Sequence, residues 1–410
     1  MPAFRPTRLL RGLCVIAGAL AIAGIAGCVP PPKPQAPPVP PPAATHARTI
    51  AKHPLTGEQP GFIRLSNTPA GHVPVRVGVL LPFSSGSAAT RNLAKALMNA
   101  AQLAMFDSRN PDILLMPEDE GASPSDAASG TQKLLSQGAE VIVGPLFAHS
   151  VMAVAPIARD HGVPVIAFST DRAVGGDGVY LLSYQPETEV KRVISYAAAH
   201  GHTNFTGIIP RNAYGDRVLA ALKSEAAADK VTVRAVLRFD PGTADLSQTA
   251  SAASASGADA ILIAQGGTQL AALAALLGPT HPQLLGTGLW AERSLIKEAS
   301  LSSGWFSAPP PRADANFDEH YRATFGAEAP QLAPLAYDAI SLLAALASGP
   351  PYHRFTDTAL TDPNGFSGVS GVFRFNADGS CDRGLAILAV SPDGFRVIDP
   401  APRSFQAQGS

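Results

Sequence analysis

Three short stretches rich in small polar residues could hold a ligand, and each follows an apolar run. LPFSSG (81–86) offers Ser84 and Ser85, PLFAHS (145–150) offers Ala148, His149 and Ser150, and FSTD (168–171) offers Ser169, Thr170 and Asp171. Where such a stretch opens a helix, unpaired backbone N–H groups join the side chains, and together they suit an anion or a carbonyl. The arrangement recurs later in RNAYGD (211–216), with Tyr214, and in QGG (265–267), with Gly266, while Trp290 ends QLLGTGLW (283–290).

Other chemistries find less support. His149, Ser150 and Asp171 are the residue types of a hydrolytic triad, but no G-x-S-x-G turn surrounds Ser150 and no catalytic residue is assigned. His200-Gly-His202 has no third metal ligand nearby in sequence. Gly286-Thr-Gly288 lacks the third glycine of a dinucleotide motif. Cys381 has no recognisable histidine partner, and no cofactor or metal is expected. Several candidates keep two readings. Asp171 could face a cleft, or cap locally and pair with Arg172. His149 and Ser150 could contact a ligand or cap a helix. Tyr214 could stack on a ligand or pack at a helix start. Gly266 could admit a ligand to the backbone or make a turn, and Trp290 could wall a cleft or cover a chain crossing.

The elements that would position these residues alternate regularly. VRVGVLL (75–81) is apolar but for Arg76, as expected of a strand buried on both faces. A helical pattern follows at 90–107, then ILLM (113–116), a helix after SPSD (123–126), EVIVG (140–144), a helix from Ser150, VPVIAF (163–168) and VYLLS (179–183). A second series runs from 188 to 290 and includes NFTGIIP (204–210), VTVRAVLRF (231–239) and DAILIAQ (259–265). Residues 304–310 and a helix over 333–347 come next. The tail at 369–390 reads as two strands around an NADG turn, with FRVID (395–399) as another. The expected class is α/β, with two doubly wound parallel-sheet lobes and a short antiparallel C-terminal segment. Ligands bind beyond the carboxyl ends of strands in such sheets, so the polar stretches would line a shared cleft.

Composition narrows the partners. Apolar residues make up 46% of the 410-residue chain and charged ones 15%, at a net charge of −1. That excludes global disorder, and no general field draws nucleic acid. The N-terminus reads as a processing segment: Arg5, Arg8 and Arg11 precede an apolar run at 13–26, and Ile25-Ala26-Gly27 leads into Cys28. This is similar to the lipobox of bacterial lipoproteins, which implies a lipid on Cys28, with Val29 pointing to the outer membrane. PPPKPQAPPVPPP (30–42) would be a polyproline spacer reaching on the order of 40 Å.

Over about residues 74–400 the order of elements resembles the type I periplasmic binding proteins, particularly their leucine-binding branch. VIVG with its small polar loop, Val163-Pro164-Val165-Ile166 with its Ser/Thr loop, and Tyr214-Gly215 carry the likeness. It implies two lobes joined by crossovers, near 183–186, 290–303 and 349–366, that close on a small solute. Lobe 1 would comprise 73–185 plus 291–349 and lobe 2 would comprise 186–290 plus 350–402, after a signal peptide at 1–27 and a linker at 28–72. In the leucine-binding branch, hydroxyl residues after the third and fourth strands hold a solute carboxylate, and a second-lobe acid holds its amine. Ungapped placement puts Ala148 and Asp171 at the first two positions and the acid near Gly288; only Tyr214 clearly matches. The chain also looks like the penicillin-binding protein activators, lipoproteins of this fold that regulate peptidoglycan synthases. The expectation is a non-enzymatic, periplasm-facing envelope lipoprotein whose partner is such a synthase or, alternatively, an ABC permease, with a small polar ligand in the cleft.

Overall fold

The computed structural model describes residues 61–69, 72–278, 281–311, 315–351 and 353–405. Cys28, the signal peptide and the linker as far as 60 lie outside the described residues. The last part of the expected linker is not a spacer. Ile63–Arg64 (β1) pairs antiparallel with Ile113–Asp119 (β3), because Phe62, Ile63 and Leu65 pack on the core beneath.

The first sheet is built around Val75–Leu81 (β2), in which all seven residues are buried. Val77, Val79 and Leu81 point into one core and Leu80 into the other. The strand's two-residue period thus serves two apolar layers, each buried Val or Leu contributing about 1.5–3 kcal/mol. Ala88–Ser108 (α1) covers the first face. Pro124–Ser136 (α2) and, after Val141–Val143 (β4), Ala148–Asp160 (α3) cover the second. Ser123 starts α2 by accepting from the Asp126 amide, while the Asp126 carboxylate accepts from the Ser123 amide, a reciprocal cap. Val165–Ala167 (β5) and Val179–Leu181 (β6) complete the order β1-β3-β2-β4-β5-β6, parallel apart from β1.

The chain then crosses to a second sheet. Pro186–Ala199 (α4), Asn204–Pro210 (β7), Ala213–Ala228 (α5), Thr232–Phe239 (β8), Ser247–Ser254 (α6), Ala260–Ile263 (β9), Gly267–Leu277 (α7) and Gln283–Gly286 (β10) follow in turn. Trp305–Ala308 (β11) pairs parallel with β10. The expected crossing at 290–303 is therefore a run of short 3₁₀ turns inside the second lobe, and the chain leaves that lobe only after Ala308.

Ala315–Phe325 (α8) and Ala333–Ala347 (α9) return to the first lobe, where α9 lies along α1 in the core. Asp357–Leu360 (α10) follows. Phe366–Gly368 (β12), Gly371–Phe375 (β13) and Cys381–Arg383 (β14) form a small antiparallel sheet whose Phe373, Phe375 and Cys381 join the same core. Ala386–Ser391 (β15) and Gly394–Asp399 (β16) then add antiparallel strands to the second sheet, in the order β16-β15-β11-β10-β9-β7-β8. The third crossing is thus at 384–385 rather than 349–366. Residues 315–383 serve the first lobe, which redraws both expected lobe boundaries. The fold class stands: two α/β lobes with helices on both faces of parallel-dominated sheets, and an antiparallel C-terminal part.

Candidate functional site

Both sheets switch winding direction between their first and third parallel strands, β2 and β4 in one and β7 and β9 in the other. The loops leaving those strand ends are the polar stretches singled out above, and in open sheets such crevices hold ligands. The two rims touch. Arg217, on the first turns of α5, donates to the Thr170 carbonyl and pairs with Asp171 at 3.0 Å. Asp171 therefore faces the other lobe. It also caps the short turn behind it by accepting from the Ala173 amide. Its neighbour Arg172 ties the loop to the β13–β14 turn through Asp378 at 2.7 Å.

On the first-lobe rim, Gly144 has φ +93°, and a Cβ there would fall on the Leu80 carbonyl oxygen. Only glycine lets PLFAHS fold this closely over the end of β2. Phe147 begins α3 without a side-chain cap. The cap comes from elsewhere: Glu120, 0% exposed, accepts from the Leu146 amide at 2.8 Å and the Phe147 amide at 3.2 Å. The Ser150 hydroxyl also donates to it. Burial raises the Glu120 pKa, and the three hydrogen bonds only partly oppose that rise. The carboxylate that satisfies this helix start is the protein's own.

Several candidates consequently have duties other than ligand contact. Ser150 is 1% exposed and committed to Glu120. His149 is exposed and stacks on Phe147 with ring centroids 5.4 Å apart. With Asp171 on Arg217, the three residue types of a triad engage three different partners. Neither His149 nor Ser150 caps α3. Ser84 donates through its amide and hydroxyl to Asp119, and the Ser85 carbonyl accepts from Arg91. Ser169 is buried and accepts from the Asp171 amide, shaping the loop from within. Ala148 and Thr170 stay on the rim, and Thr170 meets the second lobe through its carbonyl.

One second-lobe candidate leaves the site altogether, and another stays on the rim with a structural duty. Trp290 is fully buried in the core, donates Nε1–H to the Ile263 carbonyl at 3.2 Å and packs by Phe306. It walls no cleft, because Gly286 and Gly304 make room for its ring inside the lobe. Gly266 is needed by the protein itself, since a Cβ there would press on the Leu289 carbonyl oxygen at 2.8 Å.

Tyr214 does lie at the site. Asn212 caps α5 by accepting from the Gly215 amide, and the Tyr214 hydroxyl sits 2.7 Å from Thr287 Oγ1. Burial, and then the charge of Glu189, push its phenol upward from its ordinary range. Glu189 is a buried acid of this rim that motif reading missed. It is 5% exposed and accepts from the Gly288 amide, and burial raises its pKa to about 8, with Glu187 adding repulsion. A Cβ on Gly288 would lie 2.5 Å from a Glu189 oxygen, so the side chain fills space that only glycine leaves. The legible signal was a glutamate sharing the apolar stripe of α4 with Val193 and Ala197.

Among the described residues no three potential metal ligands gather. His200 and His202 both rest against Trp305. A cavity of about 470 Å³ beside the crossings is bounded by Tyr184, Pro309 and Gln331.

The comparisons agree with this architecture. A protein of unknown role from Rickettsia prowazekii (strain Madrid E) is 19% identical over 150 residues, 37% of this chain and 39% of its own length. The chain thus matches well under half of that relative. A branched-chain amino acid ABC transporter structure from Rhodospirillum rubrum superposes with a TM-score of 0.72 at 16% identity, covering 80% of this chain and 100% of the other. A solute-binding protein of an ABC transporter from R. palustris, in complex with benzoate, gives 0.61 at 17% identity over 82% and 98%. At these identities the likeness is one of fold. The family model described as periplasmic binding protein matches residues 74–394, and the chain belongs to that family, in its leucine-binding-protein-like type I form.

Proposed function

We propose that this chain is a non-enzymatic, lipid-anchored clamshell that regulates a peptidoglycan synthase, as penicillin-binding protein activators do. The family is one of extracytoplasmic, solute-binding proteins; the anchor at Cys28, an outer-membrane location and a synthase partner belong to the proposal. One observation carries it. The first-lobe groups that would receive a solute carboxylate are already engaged: Glu120 takes the helix-start amides and Ser150, and Asp171 brings a negative charge held by Arg217. A receptor delivering amino acids needs that end of the clamp free. A regulator does not, and a long tether suits reaching a synthase across the envelope.

The test is reconstitution with a purified bifunctional peptidoglycan synthase. Addition of the full chain raises glycan polymerisation or cross-linking at least two-fold; an unchanged rate at ten-fold molar excess ends the regulatory reading. A second reading, the receptor of an ABC importer for amino acids or amides, is favoured by the transport roles of the R. rubrum and R. palustris proteins. Strong thermal stabilisation by a free amino acid, lost in Tyr214→Ala, would put it first.

A further inference from the structure

We propose that Arg172 is a positioning residue for lobe closure: its pair with Asp378 holds the loop 170–172 in the place that receives Arg217. Through the β13–β14 turn, the same pair ties that loop to the third crossing. The proposal rests on the clamshell reading and is independent of what the cleft binds.

Consecutive residues of this loop bind two different elements. Arg217 of α5 latches the lobes by taking the Thr170 carbonyl and, at 3.0 Å, the Asp171 carboxylate. Arg172 Nη2 donates to Asp378 Oδ2 at 2.7 Å, on the turn between β13 and β14. The loop's own hydrogen bonds are local: the Asp171 amide to Ser169 Oγ at 3.0 Å and the Ala173 amide to Asp171 Oδ1 at 3.1 Å. Such bonds set the shape of a turn but not its place over a cleft. Arg172 supplies the place.

Asp378 is itself a fixed anchor. Ser380 donates to its Oδ1 through the amide at 3.0 Å and through the hydroxyl at 2.5 Å. Burial opposes ionisation, yet the bonds from Arg172 and Ser380 hold the Asp378 carboxyl down at about 2, so it is charged at neutral pH. The turn sits on the edge of the first sheet, where the Gly379 carbonyl accepts from the Leu181 amide of β6 at 2.8 Å. Gly379 has φ +75°, and a Cβ there would fall on the Gly176 nitrogen and the Val179 oxygen. Only glycine allows so close a seat.

From that seat the chain reaches the second lobe within a few residues. β14 ends at Arg383, Gly384 and Leu385 cross, and β15 pairs with β11. On the far side, Arg192 of α4 holds the Leu385 carbonyl at 2.9 Å. Rim loop, turn and crossing are thus physically continuous, and the Arg217 latch, made or broken, is the two-state element they bias. By linkage, the latch strengthens the Arg172 pair by the factor with which the pair strengthens the latch. The Arg172 and Asp378 side chains are 49% and 53% exposed, so the pair matters through what it positions rather than through its own strength.

The experiment is a pulsed dipolar distance measurement on the full chain in detergent, with spin labels at Ala89→Cys and Lys223→Cys, exposed positions in different lobes. Two backgrounds are compared. Arg217→Lys keeps the charge but loses the fork that serves two acceptors, and Arg217→Ala has no latch. In Arg217→Lys, Arg172→Gln and Asp378→Asn each raise the open-to-closed ratio about three-fold, and the two together raise it no further. In Arg217→Ala the same changes move the ratio by less than about 1.5-fold, because no latch remains to be positioned. Equal shifts in both backgrounds mean that the pair acts apart from the latch and overturn the proposal, as does an unchanged ratio in Arg217→Lys. Neither result touches the clamshell reading, which falls, and the proposal with it, if Arg217→Ala keeps the distance distribution of the parent.

Discussion

Replacing Glu120 by alanine tests whether the start of α3 is an anion site filled from within. The change strands the Leu146 and Phe147 amides, which now donate at 2.8 and 3.2 Å, while Ser150 can rotate to another partner. Each stranded buried donor costs about 1–3 kcal/mol. Relief of the carboxylate's own desolvation offsets part of that, since burial outweighs its hydrogen bonds. A net loss of about 3 kcal/mol is expected, which lowers the melting temperature by roughly 6 °C at the large-domain end of the usual scaling. Formate should restore stability in the variant only, about 1.4 kcal/mol at ten times its dissociation constant. The pH dependence has a definite sign. Because the folded Glu120 pKa is raised, the group's contribution is fully present below the ordinary carboxylate range and declines as pH rises through its folded value. The gap between parent and variant therefore narrows with rising pH. A melting temperature within 1 °C of the parent, with no response to formate, would refute the reasoning.

Glu189→Gln should flatten the stability profile between about pH 4.5 and 8. The parent's carboxyl, moved from 4.5 to about 8, stabilises the fold below that window and stops doing so as pH rises through it, a change of a few kcal/mol at roughly 1.4 per pH unit; chemical denaturation at pH 5 and 8 reads it. Trp290→Ala should cost about 3–5 kcal/mol in the same assay, because the ring is fully buried, yet leave binding by the folded fraction unchanged. Cys28→Ala should release the protein from the membrane fraction on sucrose flotation, and a variant that stays bound would contradict the lipid anchor.

Much of the architecture is legible because both faces of each sheet are buried. VRVGVLL and NFTGIIP are mostly apolar, with Arg76, Asn204 and Thr206 confined to their starts, and the structure places them at Val75–Leu81 and Asn204–Pro210 as read. The lobe crossings are less legible. Only Gly384 and Leu385 separate β14 from β15, which lie in different sheets, and two residues in an apolar run carry no compositional signal of a change of lobe. Trp305–Ala308 is a strand not singled out in the sequence, and its pairing with β10 is a long-range fact. Site residues divide in the same way. Rim position is local, so Thr170, Asp171 and Tyr214 could be found from strand ends. Their partners Arg217 and Thr287, and the inward turn of Glu120 and Glu189, depend on packing between distant segments. Trp290 misled for a related reason: a strand-end aromatic suits a cleft wall and a core equally, and Gly286 and Gly304 decide for the core.

The most direct test of a hinged pair of lobes is the distance between them with and without the Arg217 contact. That contact joins an ion pair of side chains 20% and 33% exposed to one carbonyl hydrogen bond. It should be worth about 1–2 kcal/mol, or a 5- to 30-fold shift in the closed population. Spin labels at Ala89→Cys and Lys223→Cys, exposed positions in different lobes, report it by pulsed dipolar spectroscopy. Arg217→Ala should add a longer-distance population that the parent lacks. Identical narrow distributions in the two proteins would mean the lobes are one rigid body and would contradict the account.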